Sequence, residues 1–159
     1  MGIIGDILIY ILTGLVHWWW TANLSVFGVS PNIVFSAALS AAIIARPAKA
    51  ISYCFFFGIY LDLLGSNLFG AYALTYTLMA YGIYMMKRHL DLIGPFSQII
   101  AALALTVVTM LFYQGLSLAL AKINPLQLKA FLVEPFLNAV TVPIIFYFFV
   151  QLKRRFNLL

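Results

Sequence analysis

Among 159 residues one carboxylic acid stands well inside an apolar run: Asp62, in Phe57-Gly58-Ile59-Tyr60-Leu61-Asp62-Leu63-Leu64-Gly65. If that run crosses a bilayer, insertion scales put a central Asp at about 2.5–3.5 kcal/mol unfavourable, so it must face a bundle interior, water or a partner. Three kinds of chemistry are then open to it. It can tie helices together by hydrogen bonds, with Ser66, Asn67 or Asn32 as partners; it can meet another protein; or it can carry protons or ions. Transport needs a relay of ionisable groups across the membrane, and the other candidates in apolar segments, His17 and Glu134, both fall toward the outer face. No chain of acids crosses.

The remaining polar residues suit structural roles. Glu134-Pro135 is expected to open the last apolar segment, where an acid complements the positive helix terminus and proline is tolerated in the first turn. Gln114, Asn138 and Thr141 lie mid-segment and can bond across helices for about 0.6 kcal/mol each. Pro143 removes a backbone hydrogen bond and is expected to bend its helix. His17 has no second histidine at ligand spacing, and the single cysteine, Cys54, excludes an intrachain disulfide. There is no glycine-rich phosphate loop, HExxH, GxSxG or acid pair at catalytic spacing. These residues point to a non-enzyme with neither metal nor cofactor.

Helices in a membrane must position these side chains. A 65% hydrophobic content with 8% charged residues lies far from the roughly 25% charged of soluble domains and excludes a water-soluble fold. At about 20 residues per crossing, apolar segments at 3–24, 31–46, 50–66, 69–87, 95–121 and 131–152 predict an all-α, six-helix transmembrane bundle, a single domain over 1–159. The second and third segments are short, which leaves a re-entrant hairpin over 31–66 as the alternative. Pro47, between Arg46 and Lys49, favours a break and two crossings.

The first residues lack the positive region of a secretory signal, and Asp6 stands where a myristoylation signal wants Ser or Thr, so the first helix is expected to be retained. A cytoplasmic N-terminus puts Arg46, Lys49, Lys87, Arg88, Lys153, Arg154 and Arg155 inside and Lys122 and Lys129 outside, as the positive-inside rule requires. Both termini are then cytoplasmic. Trp18, Trp19 and Trp20 lie at the outer headgroup layer as an anchor, with His17 beside them. The net charge of +5, dispersed at the ends of apolar runs, suits anionic lipid rather than nucleic acid.

Small residues say which helices approach closely. Cys54, Gly58, Asp62 and Gly65 share a face nearly bare of side chains, and Ser36, Ala37, Ala38, Ser40, Ala41 and Ala42 give overlapping small-xxx-small pairs. The second and third helices are therefore expected to pack tightly.

Ser30-Pro31-Asn32, then an apolar helix ending at Arg46, then Phe57-Gly58-Ile59-Tyr60-Leu61-Asp62-Leu63-Leu64-Gly65-Ser66-Asn67-Leu68-Phe69-Gly70, resembles the bacterial rod shape-determining family MreD. Asn138-Ala139 followed by Pro143, and the basic Lys153-Arg154-Arg155, look like the family as well. The motif region covers residues 30–75, whereas the first and fifth helices are similar only in being apolar.

The resemblance implies a non-enzymatic component of the cell-elongation machinery in the bacterial cytoplasmic membrane. Such a protein would bind the bitopic protein MreC and link MreB filaments to the peptidoglycan glycosyltransferase RodA and its transpeptidase partner. Pro31, Asn32, Gly58, Asp62, Gly65, Gly70 and Asn138 are the candidate packing or partner-contact positions, with the lipid bilayer as the other partner. The family also looks in fold like the substrate-binding components of energy-coupling-factor vitamin transporters, which supplies the alternative function. That reading needs an outward pocket with convergent polar groups, for which His17, Asn32, Asn67 and Glu134 are on offer.

Overall fold

The computed structural model describes residues 2–64, 68–120 and 128–156. Six α-helices follow one another: α1 (Gly2–Asn23), α2 (Ile33–Ile44), α3 (Pro47–Leu63), α4 (Ala71–Met86), α5 (Pro95–Ala119) and α6 (Leu128–Phe156). Among the described residues there is no strand, only an isolated antiparallel bridge between Val26 and Val29. α5 and the Leu128–Leu152 part of α6 are long and apolar enough to cross a membrane, and α2 is a shorter apolar helix.

Two helices start three residues earlier than the sequence reading places them. α3 begins at Pro47, not at residue 50, because a proline in the first turn loses no hydrogen bond and arrives with a helical φ. α6 begins at Leu128, so Glu134 lies in its second turn and Pro135 in its interior; Glu134-Pro135 does not open the helix. Apolar residues ahead of Glu134 extend the helix past the proline, and neighbouring helices make such prolines tolerable in apolar bundles.

α2 is the axis of the bundle. Every residue from Ile33 to Ile43 is buried, as expected of a helix that is apolar all round, and α2 touches each of the other five helices. Ala37, Ala38, Ala41 and Ala42 make this crowding possible by keeping the α2 surface close to its backbone. The expected α2–α3 approach is present: the Cys54 thiol donates to the Ala38 carbonyl at 3.4 Å. On the other side of α2, Ser36 and Thr141 of α6 share a hydroxyl hydrogen bond of 2.9 Å.

α1 lies at the edge, seated on α3 by aromatic residues. Tyr10 packs its ring against Tyr53 and Phe57 at centroid distances of 5.2 and 5.0 Å. The Tyr53 hydroxyl donates to Asp6, and the Tyr60 hydroxyl donates to the Gly14 carbonyl at 2.9 Å. Asp6 also pairs with Lys49 at 3.8 Å, and the Lys87 ammonium donates to the Ala45 carbonyl, just beyond α2, at 3.5 Å. A cation there complements the negative end of a helix. These contacts gather Asp6, Lys49 and Lys87 at one end of the bundle.

Candidate functional site

A 12-residue helix such as α2 is roughly 18 Å long, well short of the ~30 Å of bilayer hydrocarbon. Its start is enclosed within the protein, where Pro31 and Ile33 are buried. The first-turn N–H groups of a helix have no intrahelical partner, and at a buried start they must find one within the protein. Asn32 answers this locally: its Oδ1 accepts from the Phe35 N–H at 2.9 Å. Its own backbone N–H donates to Oδ1 of Asn138 on α6 at 2.9 Å, and its side-chain amide donates to the Tyr76 hydroxyl of α4 at 3.4 Å.

Asn138 is fully buried and donates its amide to the Thr106 hydroxyl of α5 at 3.3 Å. Thr106 in turn donates to the Ala102 carbonyl at 2.6 Å. The Glu134 carboxyl, one turn before Asn138, faces the side chains of Asn138 and Asn32. The start of α2 is thus the meeting point of α2, α4, α5 and α6. Removing one member strands a buried donor or acceptor, at about 1–3 kcal/mol.

A second junction joins α3 to α4. Gly70, the N-cap of α4, has φ +91° and offers no side-chain cap; glycine suits that left-handed conformation. The missing cap comes from α3. Asp62, 4% exposed, accepts from the Tyr72 and Ala73 N–H groups with one oxygen each, both at 3.1 Å, and an acid there also complements the helix dipole. Gly58, one turn earlier on the same face, lets the two backbones touch. A Cβ built there would lie 2.4 Å from the Ala73 Cα and 2.6 Å from the Tyr72 carbonyl oxygen.

The structure therefore divides the sequence-derived positions into two groups. Pro31, Asn32 and Asn138 build the junction at the start of α2, while Gly58, Asp62 and Gly70 build the α3–α4 junction. Gly65 lies outside the described residues, as do Ser66 and Asn67. One turn of α4 connects the groups, since the Tyr72 N–H reaches Asp62 and the Tyr76 hydroxyl reaches Asn32. Tyr76 and Thr106 were not singled out from the sequence. Tyr76 is one of nine tyrosines, and a helix-interior threonine usually bonds its own backbone, as Thr106 also does. Glu134 was assigned to a cap and instead faces inward.

His17 stays beside the tryptophans, its ring 6.3 Å from that of Tyr60 and its buried Nδ1 without a hydrogen-bond partner. Between α1, α2 and α6 runs a groove of about 500 Å³, lined by aliphatic and aromatic side chains with Thr13 and Thr141 among them. Its lining is almost wholly apolar, without the convergent polar groups of a ligand pocket. Among the described residues no group of three or more His, Cys, Asp or Glu is placed to hold a metal ion. The polar side chains of both junctions spend their hydrogen bonds on other helices, so their chemistry is positional.

The search of curated proteins and that of solved structures yield no match. The model of the family described as rod shape-determining protein MreD matches residues 2–156, well beyond the motif region of residues 30–75. On that match, which takes in both junctions and all six helices, the chain belongs to the MreD family of rod shape-determining membrane proteins.

Proposed function

We propose that this chain is a non-enzymatic scaffold of the bacterial cell-elongation machinery, which binds MreC and helps couple MreB filaments to RodA and its transpeptidase partner. The observation that carries this reading is the family match over residues 2–156. The use of the buried polar groups supports it: Asp62 caps α4, and Asn32 and Asn138 join four helices. Between helices in lipid there is no hydrophobic drive, so association relies on close packing and interhelical hydrogen bonds. A partner helix needs a surface of fixed shape, and these junctions fix it.

In this reading all six helices cross the cytoplasmic membrane and both termini face the cytoplasm. Lys49 and Lys87 at one end of the bundle support that orientation. Outward faces of α1, α5 and α6, with Ile11, Leu15, Val108, Leu111, Leu132 and Phe136 exposed, suit lipid and the helices of partners. Gly58, Asp62, Asn32 and Asn138 are packing positions that act on partners only through the shape they hold.

Expression in a rod-shaped bacterium depleted of its own family member tests the function. Restored rods are expected; round cells despite a normal membrane level of the chain would refute the proposal. Orientation is tested in the same cells with Arg88→Cys and Lys129→Cys. A membrane-impermeant maleimide should label the second from outside and the first only after the membrane is opened, and the reverse pattern would overturn the topology.

A further inference from the structure

The connection from α1 to α2 is a small device of its own. Val26 and Val29 exchange both backbone hydrogen bonds, at 2.8 and 3.0 Å, closing a two-residue turn. Phe27 and Gly28 at its tip have φ of +55° and +81°, the sign pattern of the hairpin turn that favours Asn-Gly. For a bulky residue such as phenylalanine the left-handed conformation is an outlier, held at an energetic cost. The ring placed there is 84% exposed.

Three further hydrogen bonds tie the end of α1 together just before this tip. Thr21 donates its hydroxyl to the His17 carbonyl at 2.7 Å, Asn23 its amide to the Trp19 carbonyl at 2.8 Å, and the Leu24 N–H reaches the Trp20 carbonyl at 2.8 Å. Of the last four carbonyls of α1, that of Trp20 thus finds its partner within the chain. From Thr21 to Ala45 there is no charged residue, and Trp18, Trp19, Leu24 and Val26 are exposed beside Phe27. A loop that carries no charge and displays apolar side chains is built for a place poor in water. The tryptophans name that place, because indole rings favour the membrane–water interface.

We propose that the Val26–Val29 turn is an interfacial anchor that inserts the Phe27 ring into the lipid headgroup layer at the tryptophan-bearing end of the bundle. It fixes the depth of the α1 terminus and of the strand of chain that descends to Asn32.

The test uses the full chain in nanodiscs of phosphatidylethanolamine and phosphatidylglycerol, with a nitroxide on Phe27→Cys. The unsubstituted chain is the blank, since Cys54 is fully buried. Collisions with oxygen are expected to exceed those with a water-soluble nickel chelate, as at the headgroup–acyl boundary; dominance of the nickel chelate would overturn the proposal. A second label on Ser25→Cys keeps Phe27 in place. Its nickel accessibility should rise at least threefold when Phe27→Asp is added, and an unchanged value would count against insertion. Shielding that arises only on adding a partner protein, with a water-exposed label in lipid alone, would also overturn it.

Discussion

Replacing Gly58 by alanine adds one methyl group where the structure has no room for it. The new Cβ would lie 2.4 Å from the Ala73 Cα, 2.6 Å from the Ala73 nitrogen and 2.6 Å from the Tyr72 carbonyl oxygen. All three neighbours are backbone, so no side chain can rotate away and α3 and α4 must separate. Overpacking costs about 1–3 kcal/mol where the surroundings partly yield, and here the upper end applies. Separation also stretches the bonds from the Tyr72 and Ala73 N–H groups to Asp62, worth about 1 kcal/mol each. Against this stands the gain of alanine over glycine in a helix, about 0.5–1 kcal/mol. The net loss is about 4 kcal/mol, which for a domain of this size lowers the unfolding midpoint by roughly 12 °C. The assay is thermal unfolding in mild detergent, followed by the surviving monodisperse fraction on size exclusion. Gly82→Ala on α4 and Gly115→Ala on α5, where nothing lies within 4 Å, should leave the midpoint unchanged or raise it. A Gly58→Ala midpoint equal to that of Gly82→Ala would refute the close-approach argument.

Two further outcomes follow from the junctions. Asp62→Leu strands the Tyr72 and Ala73 N–H groups and should cost about 2–5 kcal/mol, with Asp62→Asn losing less because one oxygen acceptor remains; denaturation in mixed micelles ranks the two. Asn138→Leu removes the acceptor for the Asn32 N–H and should cost about 1–3 kcal/mol, while Asn138→Asp keeps that oxygen and should recover part of the loss in the same measurement.

Helix number and order were legible because each helix is an apolar run bounded by turn residues. What periodicity does not announce is which neighbour a face meets. Cys54, Gly58 and Asp62 recur every four residues, but at 3.6 residues per turn each step rotates the position by about 40°. Cys54 therefore reaches α2 while Gly58 and Asp62 meet α4. The expected α2–α3 packing is real, yet the glycine serves the next interface. Asn32 and Asn138 stood out as amides in apolar runs, but their meeting depends on α6 packing along α2, which links residues 106 apart. Glu134 was misplaced because Glu-Pro is a common helix opening, and only the preceding turn from Leu128 shows it to be interior. Phe27 carries no sequence signal, since its interest lies in a positive φ that side-chain type alone argues against.

Both junctions are internal, so the account stands or falls on what the finished bundle holds at its surface. The direct test is affinity purification of the tagged chain from its native host in gentle detergent, followed by mass spectrometry of the proteins and small molecules that accompany it. Recovery of MreC together with the cell-wall synthases is the predicted result. Recovery of ATPase subunits, or of a bound vitamin with none of the elongation proteins, would contradict it.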